Sequence, residues 1–247
     1  MIIRLADRNI EVKPLHPYLM EYCKEYLLSD GDHSTLIDFK VIIDPKDIEY
    51  EREKSRIEFF SKGEDYYDFS DEYLETLAVY RKIADIMPKY DTFLIHGSAI
   101  SVDGFGYLFT APSGTGKSTH TALWRKAFGE RADMINDDKP LIRIDPTGKA
   151  IIYGTPWDGK HRLSKNISVP LKSICILERD AQNSIRQIDS KDAFPELLRQ
   201  IYRPRDPQNL IKTMTIVEKL VKVVQLYRLY CNMESDAATM AYAYMNK

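Results

Sequence analysis

Apolar residues recur at helical spacing over Leu74, Leu77, Ala78, Tyr80, Ile83, Ala84 and Met87. This predicts a helix opened by Ser70 as N-cap, with Asp71 and Glu72 at its positive end and Pro88 beyond its last turn. The pattern then changes period. Residues 93–102 are apolar and β-prone, Asp103-Gly104-Phe105-Gly106 supplies turn residues, and Tyr107–Thr110 reads as a second strand, so a hairpin is expected. A helix from Ser118 to Phe128 follows, closed by Gly129. Short strands are read over 132–136, 141–144, 150–153, 173–177 and 225–231. Helices are read near 193–202, after Asp206 with Pro207 at its first position, and after Ser235. The last long helix carries Leu210, Met214, Val217, Val221 and Val224 as its buried stripe.

Before residue 70 the pattern is weaker. Strands near 2–5, 9–12 and 36–43, a helix near 17–28 and a charged stretch up to Phe60 are the elements expected there. The whole reads as α/β: a mixed central sheet with helices on its faces. Residues 1–69 form an accessory α+β segment, or part of the core, and residues 70–247 the main domain.

Composition narrows the classes. The 247 residues suffice for one large or two small domains, and 44% apolar with 29% charged residues is an ordinary globular mixture. Lys plus Arg number 35 against 37 Asp plus Glu, which excludes a protein that coats nucleic acid by charge alone. Cys23, Cys175 and Cys231 are odd in number and hold no CxxC pair, so buried thiols in a reducing compartment are expected. Arg4 and Asp7 interrupt the apolar stretch a signal peptide needs, and no apolar run approaches the ~20 residues of a membrane span. A cytoplasmic protein is expected, with neither nucleic acid nor membrane as partner; a homo-oligomer is left open.

The strongest chemical signal is Ala111-Pro112-Ser113-Gly114-Thr115-Gly116-Lys117-Ser118-Thr119, which matches the phosphate-binding pattern GxxxxGK[ST] except that alanine stands first. Gly114 and Gly116 free the backbone to aim several N–H groups into one concavity. Lys117 supplies a mobile cation for the outer phosphates, Ser118 a hydroxyl for Mg²⁺, and the following helix its positive end. Residues Ser113 to Thr119 are therefore expected to hold the phosphates of ATP. At the end of the next strand stands Asp137-Asp138, which is either a solvated turn or the acid pair of phosphoryl transfer. In the second case Asp137 is expected as base and Asp138, with Ser118, as metal ligand.

Pairing Val102 with Tyr107 would bring His96 opposite Ser113, where an imidazole could contact a carboxylate or a phosphate oxygen. The loop Tyr153–Arg162 places Trp157 where it could stack on a base and Lys160 or Arg162 where either could grip phosphate or an acceptor, or else is simply a packed loop with a basic end. His16, His33 and His120 have no partner pattern, and His120 reads as structural.

A His-Gly strand leading into Ser-Gly-Thr-Gly-Lys-Ser and then an Asp-Asp doublet resembles the catalytic domain of HPr kinase/phosphorylase and its related proteins, over about residues 70–180. The resemblance implies a P-loop core shared with phosphoenolpyruvate carboxykinases. It also implies a catalytic constellation of His96, Lys117, Ser118, Asp137 and Asp138, with one aspartate deprotonating a serine. Gly154–Lys160 is similar to the HPr-kinase-related branch, some members of which phosphorylate a precursor peptide. The expected activity is thus an ATP- and Mg²⁺-dependent kinase acting on a serine of a peptide or small protein. A nucleotide-binding sensor with little turnover, or a simple ATP hydrolase, are the alternatives.

Overall fold

The computed structural model describes residues 1–28, 36–159 and 161–247; His33 and Lys160, both singled out above, lie outside the described residues. The chain divides into two compact units, Met1–Asp85 and Ile86–Lys247.

In the first unit, β1 (Ile2–Leu5), β2 (Arg8–Lys13) and β3 (Phe39–Ile42) form a three-stranded sheet, antiparallel then parallel. Ala6 and Asp7, with φ of 46° and 60°, make the two-residue turn between β1 and β2. The helix expected over 17–28 is shorter: α1 (Tyr18–Tyr22) breaks at Cys23 and gives way to a 3₁₀ turn, Lys24–Tyr26.

The charged stretch proves to be a helix, α2 (Pro45–Lys62). Asp44 accepts from Lys46 N at 2.9 Å, Asp47 accepts from Asp44 N at 3.1 Å, Pro45 sits in the first turn, and Gly63 at φ 69° ends it. Its inward face is polar, which is why apolar spacing did not reveal it. Glu51, only 3% exposed, binds Arg81 of α3 (Asp71–Ile86), while Asp47 binds both Arg81 and Lys82. Glu75, fully buried on α3, accepts from the backbone of Leu15 and His16.

The second unit holds β4 (Thr92–Leu94), β5 (Ser98–Val102), β6 (Phe105–Thr110), α4 (Lys117–Phe128), β7 (Ala132–Asn136), β8 (Leu141–Ile144) and β9 (Ala150–Tyr153). It continues through β10 (Ser168–Arg179), β11 (Ser184–Gln187), α5 (Ser190–Gln200), α6 (Pro207–Val223), β12 (Gln225–Cys231) and α7 (Asp236–Met245). Nine strands form one mixed sheet, ordered β4-β8-β9-β10-β6-β5-β7, with β12 also on β10 and β11 on β12. The long β10 makes the sheet curl, because its first residues pair with β9 and the rest with β6 and β12.

Alternation along β6 and β10 builds a core on each face. Leu108, Ile174 and Ile176 pack with Leu197 of α5 and Leu220 of α6. Tyr107, Phe109 and Cys175 pack with Trp124 of α4 and Met245 of α7.

Two details of the expected hairpin change. Residues 93–102 are two strands, not one: β4 joins β8, whereas β5 joins β6 and β7. Between them Ile95 bridges Ile201, His96 N donates to Gln200 O at 2.8 Å, and Gly97 N donates to Asp138 O at 3.0 Å. A Cβ on Gly97 would lie 2.7 Å from Leu108 Cδ1, so the crossing needs glycine. The register also moves by two, since Asp103 and Gly104 (φ 53° and 81°) form a two-residue turn and pair Val102 with Phe105. That carries His96 to the level of Ala111 rather than Ser113. Among the described residues no helix is long and apolar enough to cross a membrane.

Candidate functional site

The loop from Ala111 to Gly116 joins β6 to α4. Gly114 (φ 78°) and Gly116 (φ 117°) occupy backbone regions that side chains resist, and Gly116 caps α4. Arg179, at the end of β10, binds the loop from outside through Gly114 O and through Thr115 O at 3.1 Å. Thr115 Oγ1 donates to Pro112 O at 2.9 Å and tightens the turn.

Lys117 is only 8% exposed, yet no described acid lies within ion-pair distance of it. Its Nζ donates to Ala111 O at 2.9 Å and Pro112 O at 3.3 Å. Burial pushes its pKa below the usual lysine range, against the opposing fields of Asp138 and Asp137.

The acid doublet follows β7, and Asn136 sets its geometry. The Asn136 amide nitrogen donates to Thr155 O, Thr155 Oγ1 and Trp157 O at 3.1, 3.0 and 3.3 Å. Its oxygen accepts from the backbone of Asp138 and Lys139 at 2.9 and 2.6 Å. Beyond this turn the two aspartates meet different surroundings. Asp137 is 8% exposed and accepts from Ser98 Oγ at 2.6 Å, while Ser98 lies 2.8 Å from Thr121 Oγ1 on α4. Gly159 packs on it: a Cβ there would stand 3.1 Å from Asp137 Oδ2. Asp138 is more open, with Oδ2 2.7 Å from Lys139 Nζ and Oδ1 3.5 Å from His96 Nε2. His96 Nδ1 lies 3.4 Å from Gln200 Oε1. Burial, aided by the Lys117 charge, pushes the His96 pKa below the ordinary histidine value despite Asp138, so the ring is mainly neutral at pH 7.

One cleft of about 960 Å³ collects His96, Lys117, Ser118, Asp137 and Asp138, together with Ser113, Gly114, Gly116 and Thr119 of the loop. Thr115 faces a second hollow of about 430 Å³ across the loop, walled by Leu123, Leu177, Cys231 and Met233. Trp157 does not join the site as expected. It is 2% exposed, lies outside the cleft wall, and contributes its carbonyl to Asn136, because the loop after β9 folds inward.

Sequence reasoning missed Ser98, Asn136, Gln200, Arg125 and His161. Arg125 was readable in principle, since Ser118, Ala122 and Arg125 share a helical face; Gln200 comes from a distant helix and was not.

No protein-family model matches the chain, and no curated protein matches it. Among solved structures, it is similar to the Hpr(Ser) kinase/phosphatase from Coxiella burnetii at 11% identity, with a TM-score of 0.33. The match covers 62% of this chain and 94% of that one.

Proposed function

We propose that this chain is a phosphotransferase of the HPr-kinase-related kind, moving the γ-phosphoryl of ATP to a serine hydroxyl of a peptide or small protein. One observation carries the reading: a buried lysine with no described acid partner shares a cleft with two carboxylates and a histidine. Such a cation is satisfied when an anion enters, and the glycine loop offers the backbone to bind phosphate beside it.

The β- and γ-phosphates would lie on Ser113–Thr119. The nucleoside would lie across the loop in the hollow walled by Leu123, Leu177 and Met233, in place of the stacking first expected on Trp157. Oxygen donors at Ser118 and Asp137 suit Mg²⁺. When bound, it would neutralise charge on the phosphates.

The geometry favours exchanging the roles first assigned to the acids. Asp137 is tied through Ser98 to Thr121, one helical turn from Ser118, and is the better metal-side carboxylate. Asp138, more open and next to neutral His96, is the better base for a serine hydroxyl. His96 would hold that carboxylate in place.

The pairing of Lys139 with Asp138 favours a second reading, a nucleotide-binding module with little turnover, because the lysine occupies a carboxylate oxygen that a substrate hydroxyl would need. Incubation with γ-labelled ATP and a cell extract separates them. A labelled acceptor that disappears with Asp138→Asn supports the kinase. Tight ATP binding without labelled product supports the module, and phosphate release without an acceptor supports a hydrolase.

A further inference from the structure

The cleft continues past the acids along α4, and this arm has its own chemistry. Arg125 lines it on the same helical face as Ser118 and Ala122, seven residues and about 10 Å along the axis from Ser118. Its Nε is shut off from solvent and has no hydrogen-bond partner, and no described acid pairs with its guanidinium. Met134, Leu163 and His161 line the same cleft. On the loops that border the cleft, Asp133 binds Lys165, and Asp158 accepts from Ser164 N at 3.1 Å through Oδ2 and lies 3.8 Å from Arg162 through Oδ1, so neither pairs with Arg125.

The sealed Nε is beyond a ligand's reach, but the rest of a guanidinium that lines a cleft with no described acid beside it is open, and a carboxylate is the partner its planar fork fits. The nucleotide is already provided for by the glycine loop and the hollow across it. The Arg125 arm therefore belongs to the acceptor side.

Resting on the kinase reading, we infer that the acceptor is an acidic peptide whose Asp or Glu side chain is held by Arg125 while a serine hydroxyl sits at Asp138. An extended chain advances about 3.3 Å per residue, so the span from Asp138 to Arg125 fixes the acidic residue at one position relative to the serine. Met134 and Leu163 would cover the aliphatic part of the intervening residue.

The test uses the full chain, γ-labelled ATP and a set of serine peptides in an Ala/Gly background, with Asp placed in turn at each of four positions on either side. Asp at one of these positions is expected to raise kcat/KM about tenfold or more, the usual worth of a charge-assisted hydrogen bond. Arg125→Ala should abolish that advantage, Arg125→Lys should retain part of it, and Arg125→Glu should transfer it to the peptide with Lys at that position. The Lys and Glu variants keep a long side chain and guard against a packing defect in the Ala variant.

Equal rates for all peptides overturn the inference, as does an ATP-binding protein that labels none of them. So does an Arg125→Ala variant that raises the KM for ATP alike with every peptide, since Arg125 would then serve the nucleotide. Failure of the wild-type protein to bind ATP overturns the kinase reading itself, and this inference with it.

Discussion

Each unit buries positive charge, but in opposite ways. In the first, Arg81 is enclosed by Glu51 and Asp47, so α2 and α3 are joined by a closed ionic cluster. In the second, Lys117 donates to two loop carbonyls, and among the described residues no acid pairs with it or with Arg125. A paired buried charge holds a fold together and leaves nothing to bind. An unpaired one weakens the fold and is relieved by an incoming anion. The contrast separates structural charge from charge held open for a ligand.

The largest expected effect is at Lys117. Lys117→Met should reduce labelled transfer about a thousandfold or more, about 4 kcal/mol of barrier, while its urea midpoint stays level or rises. A fall in the midpoint without loss of transfer would break the contrast. Arg81→Met should do the reverse. It leaves buried Glu51 with only the more distant Lys54, at 3.7 Å, among the described residues and should cost about 3 kcal/mol in unfolding free energy, with transfer per folded molecule unchanged.

His120 tests a third case, a buried group kept neutral. Its Nε2 accepts from Trp124 Nε1 at 3.0 Å, and burial lowers its pKa to about 4 from 6.5. Between those values the unfolded chain binds the proton and the fold does not. Stability should therefore be complete above pH 6.5 and fall by about 3 kcal/mol as pH drops through 4. Urea unfolding at pH 7 and pH 4.5 should show the loss, and His120→Asn should flatten it.

The smallest effect is at Gly159. Gly159→Ala presses a methyl on Asp137 and should cost about 1 kcal/mol in stability with a few-fold loss of transfer. No change in either would mean that Asp137 is held less tightly than its contacts indicate.

Much of this was legible from local pattern. The Asp206–Pro207 helix start and the glycine loop appear where short-range rules place them, because each is decided within a few residues, whereas the hairpin closes on Asp103-Gly104 alone instead of on all four turn residues. α2 escaped because its inward face makes ion pairs instead of apolar contacts, although Asp44-Pro45 marked its start. The break at 95–97 escaped because it depends on partners in distant segments, Gln200 and Asp138. Of the cleft residues, those in the glycine loop announced themselves. Ser98 and Asn136 did not, since their importance comes from what folds against them. Trp157 misled because a scarce aromatic in a loop reads as exposed, whereas the fold draws it inward.

The Asn136 amide has a consequence for anyone redesigning this protein. One side chain clasps the segment after β9 with its nitrogen and the doublet's backbone with its oxygen. The two loops are therefore mechanically a single part. A transplant that exchanges residues 154–159 for a sequence of another shape would tilt the carboxylates as well, so new selectivity has to be engineered in both loops at once.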